Sequence, residues 1–309
     1  MFDVKAIRQN VAEKYALYNG DSCELIKGIP DNSIHYTIFS PPFSSLYTYS
    51  NSDRDMGNSK NDEEFYTHFK FLISELYRVT MPGRLVSFHC MDLPLMKERD
   101  GVIGLSDFPG QLIQAFSECG FIYHSRVTIW KNPVTEMQRT KALGLLHKQI
   151  KKDSAMCRQG LPDYVITMRK PNDNPEPITH TDDSFPCDIW QQYASPVWMD
   201  INQSDTLQRA SVRTDKDERH ICPLQIGIIE RCIDLWTNPN DIVFDPFGGI
   251  GSTAYVANNK NRRALSFELK PEYYTQMVAN VSILDDYGAD AVGAMQKFRN
   301  ISHKTKKLF

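Results

Sequence analysis

The stretch Asp245-Pro-Phe-Gly-Gly-Ile-Gly-Ser-Thr253 constrains this chain more than any other. It follows the β-rich run Ile242–Asp245, and a helical pattern opens at Ser252. Glycines at a strand-to-helix junction let a ligand approach the main chain, where the first N–H groups of the helix are unpaired. A phosphate would suit that geometry, but no Lys follows the last glycine, which argues against a P-loop. Asp245 at the mouth of the strand would repel a phosphate and favour a cation. The next predicted strand, Arg263–Glu268, ends in an acid 17 residues beyond Gly251. An acid there is placed to accept from both hydroxyls of a ribose. Together they point to a positively charged, ribose-bearing small molecule.

A second loop follows the apolar run Ile34–Ser40 and reads Phe39-Ser40-Pro41-Pro42-Phe43. Two prolines fix φ and remove two N–H donors. Ser40 and the Pro41 carbonyl then form a rigid pair of acceptors with the aromatic face of Phe43 close by. A primary amine on a flat ring would fit; so would a plain Pro-Pro turn with a packed phenylalanine.

Between and around these loops the chain alternates strand and helix. Asn61-Asp62 opens a helical segment to about Val79, with Phe65, Phe69, Leu72, Ile73 and Leu76 at helical spacing. Pro82-Gly83 is expected to end it, with strand Arg84–Cys90 next. Phe108–Cys119 reads as helix, and Phe121–Trp130 and Asp163–Arg169 as strands. Helices are expected over Leu224–Trp236, from Ser252 and from Pro271. Tyr18-Asn-Gly-Asp21 places Asp21 at a strand-to-turn position. Such alternation implies a mostly parallel sheet covered on both faces. The period weakens from Lys131 to Arg219, where an inserted recognition region is expected.

Bulk properties exclude several classes. No run of about 18 apolar residues occurs and the N-terminus lacks a signal-peptide layout, so a cytosolic protein with no membrane partner is expected. Seven scattered cysteines, never spaced C-x-x-C, argue against a disulfide framework or a zinc ribbon. Most are expected to be small buried residues, and no metal site is indicated. Net charge is only −3, but it is unevenly placed. Arg126–Lys170 holds ten Lys/Arg against three acids, Pro171–Thr206 holds seven acids and no Lys/Arg, and Lys297–Phe309 holds five Lys/Arg and no acids. The basic block is either a solvated face or a phosphate-facing patch. In the second case Arg139, Lys141, Lys148, Lys151 and Lys152 are the candidate phosphate contacts.

Together these pieces resemble the amino-group DNA methyltransferases of bacteria and phages, in the permuted subgroup where S/D-P-P-Y/F precedes F-x-G-x-G. Ser40-Pro-Pro-Phe43 comes first here and Phe247-Gly-Gly-Ile-Gly251 roughly 200 residues later. Arg219-His-Ile-Cys-Pro223 resembles the segment before the cofactor loop, and Trp130-Lys131-Asn132-Pro133 resembles one lining the target-base pocket. The resemblance implies a Rossmann-like α/β fold with a seven-stranded, mostly parallel sheet whose last strand is antiparallel. It divides the chain into a catalytic half (1–131), an inserted target-recognition region (132–217) that includes the strand at 163–169, and a cofactor-binding half with a basic tail (218–309).

The cofactor it implies is S-adenosyl-L-methionine, held by Asp21, Asp245, Phe247, Gly249, Gly251, Ser252 and Glu268. Ser40, Pro41, Pro42 and Phe43 would be catalytic, with Trp130 and Lys131 at the DNA. The implied substrate is double-stranded DNA with the target base flipped out and stacked on Phe43, in a bacterial or phage setting with or without a cognate restriction endonuclease. Oligomeric state is left open.

The amine's lone pair is delocalised into its ring. Ser40 and the Pro41 carbonyl, accepting its protons, would free that lone pair for in-line attack. Ser at the motif's first position goes mostly with N4 of cytosine, and Asp mostly with N6 of adenine, so N4 of cytosine is the expected target. Ring-carbon methylation would need a nucleophilic cysteine after proline. Pro186-Cys187 is such a dipeptide, but it lies in the acidic block far from both loops. An RNA methyltransferase with the same loops, a small-molecule methyltransferase and a catalytically silent DNA-binding protein are the competing readings.

Overall fold

The computed structural model describes residues 6–42, 62–207 and 223–287. β1 (Arg8–Val11) and β2 (Tyr15–Asn19) pair as a hairpin, followed by α1 (Ser22–Leu25). Next come β3 (Ile34–Phe39), α2 (Asp62–Val79) and β4 (Thr80–Cys90). β5 (Leu93–Leu95), α3 (Lys97–Asp100) and β6 (Gly104–Ser106) precede α4 (Phe108–Glu118) and β7 (Ile122–Ile129). α5 (Pro133–Thr140) and α6 (His147–Ile150) lead to β8 (Asp163–Arg169), then α7 (Cys187–Tyr193) and β9 (Val197–Trp198). The alternation ends with α8 (Ile226–Trp236), β10 (Ile242–Asp245), α9 (Ser252–Asn259), β11 (Arg263–Glu268) and α10 (Pro271–Tyr287).

Among the described residues the main sheet has nine strands in the order β1-β2-β11-β10-β3-β4-β8-β7-β9. The five from β2 to β4 run parallel; β8 is antiparallel to both β4 and β7. The expected seven strands are the inner ones, and β1 and β9 extend the edges. The antiparallel strand, β8, lies between β4 and β7 rather than at the end of the chain.

Inner strands such as Ile34-His-Tyr-Thr-Ile-Phe39 and Ile242-Val-Phe-Asp245 are almost wholly buried, as expected of parallel strands covered on both faces. One face packs on α1, α2 and α4, where Phe65, Phe69, Leu72, Ile73 and Leu76 are fully buried. The other packs on α8, α9 and α10 through Ile228, Ile229, Ala254, Met277 and their neighbours. Arg84 in β4, fully buried, donates to Asp241 ahead of β10 at 3.0 Å. That pair spans β3 and helps fix the strand ends in register.

The structure corrects two expectations. Pro82-Gly83 does not separate helix from strand: β4 begins at Thr80 and runs through it. Gly83 takes φ +71° and the β3–β4 register shifts there, so a bulge absorbs the proline without ending the strand. Of the cysteines described, Cys90 and Cys232 are buried, Cys23, Cys119 and Cys157 half-buried, and Cys187 exposed at the start of α7. Burial pushes the Cys23 and Cys232 thiols up to about 12, which keeps both protonated at neutral pH. No helix among the described residues is long and apolar enough to cross a membrane.

Candidate active site

β3 and β10 lie side by side in parallel, with Tyr36 opposite Val243 and Thr37 opposite Phe244. Ser40 and Asp245 therefore leave the sheet together at its C-terminal edge. From β10 the chain turns to β11 on one side while β3 occupies the other. That is the kind of switch point where open α/β sheets bind ligands. The two loops touch: the Phe39 and Phe247 rings are 5.7 Å apart, and the Thr253 hydroxyl donates to the Ile38 carbonyl at 3.4 Å.

The glycine loop is built as a cradle. Gly251, the N-cap of α9, has φ +90°, and a Cβ there would lie 2.9 Å from Met277. Gly249 has φ +54° and faces open space: a Cβ there would meet only the Phe247 carbonyl, at 3.9 Å. A ligand can approach the backbone at that point. Ser252, the first residue of α9, is buried.

The acids converge on this loop. Asp245 is 5% exposed and accepts from the Phe247 N–H at 2.9 Å. Burial pushes its carboxyl up to about 7, against the pull of hydrogen bonds from Thr253 and Phe247. A cationic ligand beside it would favour the ionised form. Glu268 accepts from the Gly249 N–H at 2.8 Å and from the Lys270 N–H at 2.7 Å. Those two bonds orient the carboxylate at the loop. Asp21 caps α1, accepting from the Cys23 N–H at 2.9 Å, while Ser22 donates to the Pro246 carbonyl. The Gly20 N–H donates to the Glu268 carbonyl at 3.0 Å. Three strand ends thus place Asp21, Asp245 and Glu268 around one loop.

Beside it, Ser40 is half-buried and Pro41 and Pro42 are buried. The Ser40 hydroxyl lies 3.2 Å from His89 Nδ1. His89 Nε2 in turn lies 3.3 Å from Asp163 Oδ2, without the alignment of a full hydrogen bond. Asp163 Oδ1 accepts from Lys131 Nζ at 2.7 Å. Burial opposes ionisation of Asp163, but His89 and Lys131 outweigh it and hold the carboxyl at about 2. The sequence reading missed His89 and Asp163 as site residues. Strand register carried the signal: Phe39 pairs with Phe88, which sets His89 beside Ser40 at the same edge.

The other anticipated residues divide. Phe43 and Arg219–Cys222 lie outside the described residues, as do the basic tail and the Arg139 side chain. Lys131, assigned to DNA by resemblance, is occupied by Asp163, whereas Trp130 is 42% exposed. Lys141, Lys148, Lys151 and Lys152 are all exposed on a compact turn region between α5 and β8. Glu136 ties that region back, accepting from the Leu161 N–H at 2.7 Å and facing Arg158 at 3.6 Å. His35, Glu176 and Asp241 cluster around the N-terminal ends of β3 and β10, away from the site. There Asp241 is already bonded by Arg84 and the Asn238 N–H.

Comparison with known proteins agrees with this geometry. The chain is 26% identical over 272 residues to the type II methyltransferase M.BglII of Bacillus subtilis, a match covering 83% of this chain and 66% of the relative. The first three relatives are longer proteins, of which the match spans 66%, 27% and 54%. Among solved structures, TTHA0409 of Thermus thermophilus, complexed with S-adenosyl-L-methionine, superposes with a TM-score of 0.65 at 20% identity, covering 86% of this chain and 92% of that one. The cytosine-N4-specific PvuII DNA methyltransferase superposes with a TM-score of 0.64 at 21% identity, covering 91% and 90%. At such identities these structures speak for the fold. A family model described as DNA methylase matches residues 34–279, from the start of β3 into α10, and so includes both loops. The chain belongs to the N6/N4 family of DNA methylases.

Proposed function

We propose that this protein transfers a methyl group from S-adenosyl-L-methionine to the N4 amine of cytosine in duplex DNA. The observation that carries the reading is the side-by-side exit of Ser40 and Asp245 from β3 and β10. It sets a neutral acceptor pair for an amine next to an acid-lined glycine cradle for a cation. The residues fit the cofactor: Gly249 opens toward the ligand space, Asp245 answers the positive charge and Glu268 the ribose hydroxyls, with Asp21 reaching the adenine amine. Phe247 and Ser252 complete the pocket wall. Bound there, the cofactor supplies a methyl group activated on a sulfonium sulfur.

The chain's own residues do the rest. Ser40 and the Pro41 carbonyl accept from the target amine, hold its lone pair out of the ring plane and fix its direction of attack. The prolines keep those acceptors rigid. Phe43 stacks on the flipped base. Adding labelled cofactor to duplex DNA and to RNA tests the substrate class: label is expected in DNA, and label in RNA alone would overturn the reading.

Asp245 makes cofactor binding pH-dependent. Its carboxyl, raised to about 7, holds a proton at lower pH in the free protein. The unfolded chain releases that proton near pH ~4, so this group's contribution to stability falls as pH rises from about 4 to about 7. Cofactor affinity runs the opposite way, since a cation prefers the ionised form. Affinity measured by calorimetry should climb as pH passes through about 7 and then level off, with proton release on binding; a flat profile would remove Asp245 from the cation's side.

Region 132–217 contributes the DNA-facing surface. Its exposed Lys141, Lys148, Lys151 and Lys152 supply phosphate contacts, with Arg139 nearby in sequence. Affinity for DNA should fall steeply with salt, each lost contact lowering the log–log slope by ~0.9. Charge reversal at Lys151 and Lys152 together is expected to weaken binding and flatten that slope. Unchanged affinity and slope would mark the patch as a solvated surface.

A further inference from the structure

We propose that His89 and Asp163 form a proton relay behind Ser40, through which the proton leaving the methylated amine is drawn away. The inference rests on the amine-methylation reading above. Three elements build the chain of contacts: Ser40 from the end of β3, His89 from β4 and Asp163 from the start of β8. Ser40 Oγ lies 3.2 Å from His89 Nδ1, and His89 Nε2 lies 3.3 Å from Asp163 Oδ2. Only one neutral tautomer suits both neighbours. Nε2 carries the hydrogen toward the carboxylate, and Nδ1 accepts from the serine hydroxyl. The hydroxyl's lone pairs then face the amine.

Asp163 is held in place by Lys131 Nζ at 2.7 Å. Among the described residues, the charged groups facing the His89 ring are Asp163 and, behind it, Lys131. Burial and the like charge of Asp107 oppose ionisation of Asp92, which accepts from the Tyr164 hydroxyl and is attracted by Arg126. A carboxylate next to an imidazole both selects the tautomer and stabilises the imidazolium when it forms.

This answers a chemical question that the serine raises. An aspartate at the motif's first position is itself a base, whereas a neutral hydroxyl is a poor one and needs a base behind it. As the N–C bond forms and the S–C bond breaks, with its electron pair left on sulfur, the nitrogen becomes cationic. Its proton passes to Ser40 Oγ while the hydroxyl proton passes to His89 Nδ1. Serine ends neutral, and the imidazolium faces Asp163 until it loses its proton to water. His89 acts through Ser40 and is a positioning and proton-accepting residue, not a contact to the base.

The test combines turnover and spectroscopy. Single-turnover methylation of duplex DNA by the wild type, at saturating cofactor so that Asp245 does not set the profile, should show an acid limb. His89→Gln should lower the rate on the order of 10²-fold and lose that acid limb. Asp163→Asn should lower the rate as well, because the imidazolium formed in turnover has lost its counter-charge. With Ser40 already replaced by alanine, His89→Gln should cost no more than a few-fold further. Independently of turnover, nitrogen NMR of the protein alone should show that the neutral form of His89 carries its hydrogen on Nε2. The relay is overturned by a His89→Gln enzyme that keeps both the rate and the acid limb, or by a hydrogen found on Nδ1. If the wild type does not methylate DNA at all, the functional reading fails instead, and the NMR result still decides the relay's geometry.

Discussion

Ser40→Ala should lower single-turnover methyl transfer on the order of 10²-fold while cofactor affinity stays within a few-fold. The split follows from where the two loops sit. Ser40 leaves β3, and Asp245 and the glycine cradle leave β10, so the variant removes an acceptor aimed at the amine without touching the cation's pocket. Its loss also strands His89 Nδ1, which has no other hydrogen-bond partner among the described residues. A serine-to-alanine change there creates little void, because Ser40 is only half-buried. Stability should therefore change little, and thermal unfolding alongside the kinetics checks that. A variant with a normal single-turnover rate would refute the acceptor role.

Glu268→Ala should weaken cofactor binding by ~1–3 kcal/mol, roughly 5-fold to 150-fold in affinity. Two effects combine. On the proposed reading the ribose hydroxyls lose their acceptor, and the cradle loses the group that holds it. The Glu268 carboxylate receives the Gly249 and Lys270 N–H groups at 2.8 and 2.7 Å, so alanine leaves two donors unpaired in a nearly buried place. Glu268→Gln separates them, since its side-chain carbonyl can still accept from one of those donors while its charge is gone. Calorimetry of both variants reads the result, and unchanged affinity in Glu268→Ala would take this residue out of the site.

The parts of the fold legible in the sequence were those where one local signal dominated. β8, β10 and β11 fall on the residues expected because their apolar runs are bounded by turn residues or charges. α2 was legible from the spacing of Phe65, Phe69, Leu72, Ile73 and Leu76, all of which it buries. Apart from β8, the stretch from Lys131 to Thr206 was not, since its elements are short and depend on distant partners. β9 is two residues long, yet its Trp198 is almost wholly buried and packs under Arg231 of α8. Nothing near Trp198 in sequence announces that contact.

The candidate site divided in the same way. Loops that carry their own signature, glycines at a helix start or paired prolines after a strand, identified Ser40, Asp245 and Glu268 as the residues to watch. His89 and Asp163 carry no such signature. They matter because β3, β4, β7 and β8 share one side of the sheet, and neighbourhood is a property of topology. Lys131, placed at the DNA by the resemblance of its segment, is bonded in the fold to a buried carboxylate that the segment itself does not announce.

Nucleoside analysis by mass spectrometry, after the purified protein has acted on duplex DNA with S-adenosyl-L-methionine, tests the central claim most directly. N4-methylcytosine is the expected product. N6-methyladenine in its place would show that Ser40 was misread as the mark of a cytosine pocket, and DNA without any methylated amino base would contradict the proposed activity itself.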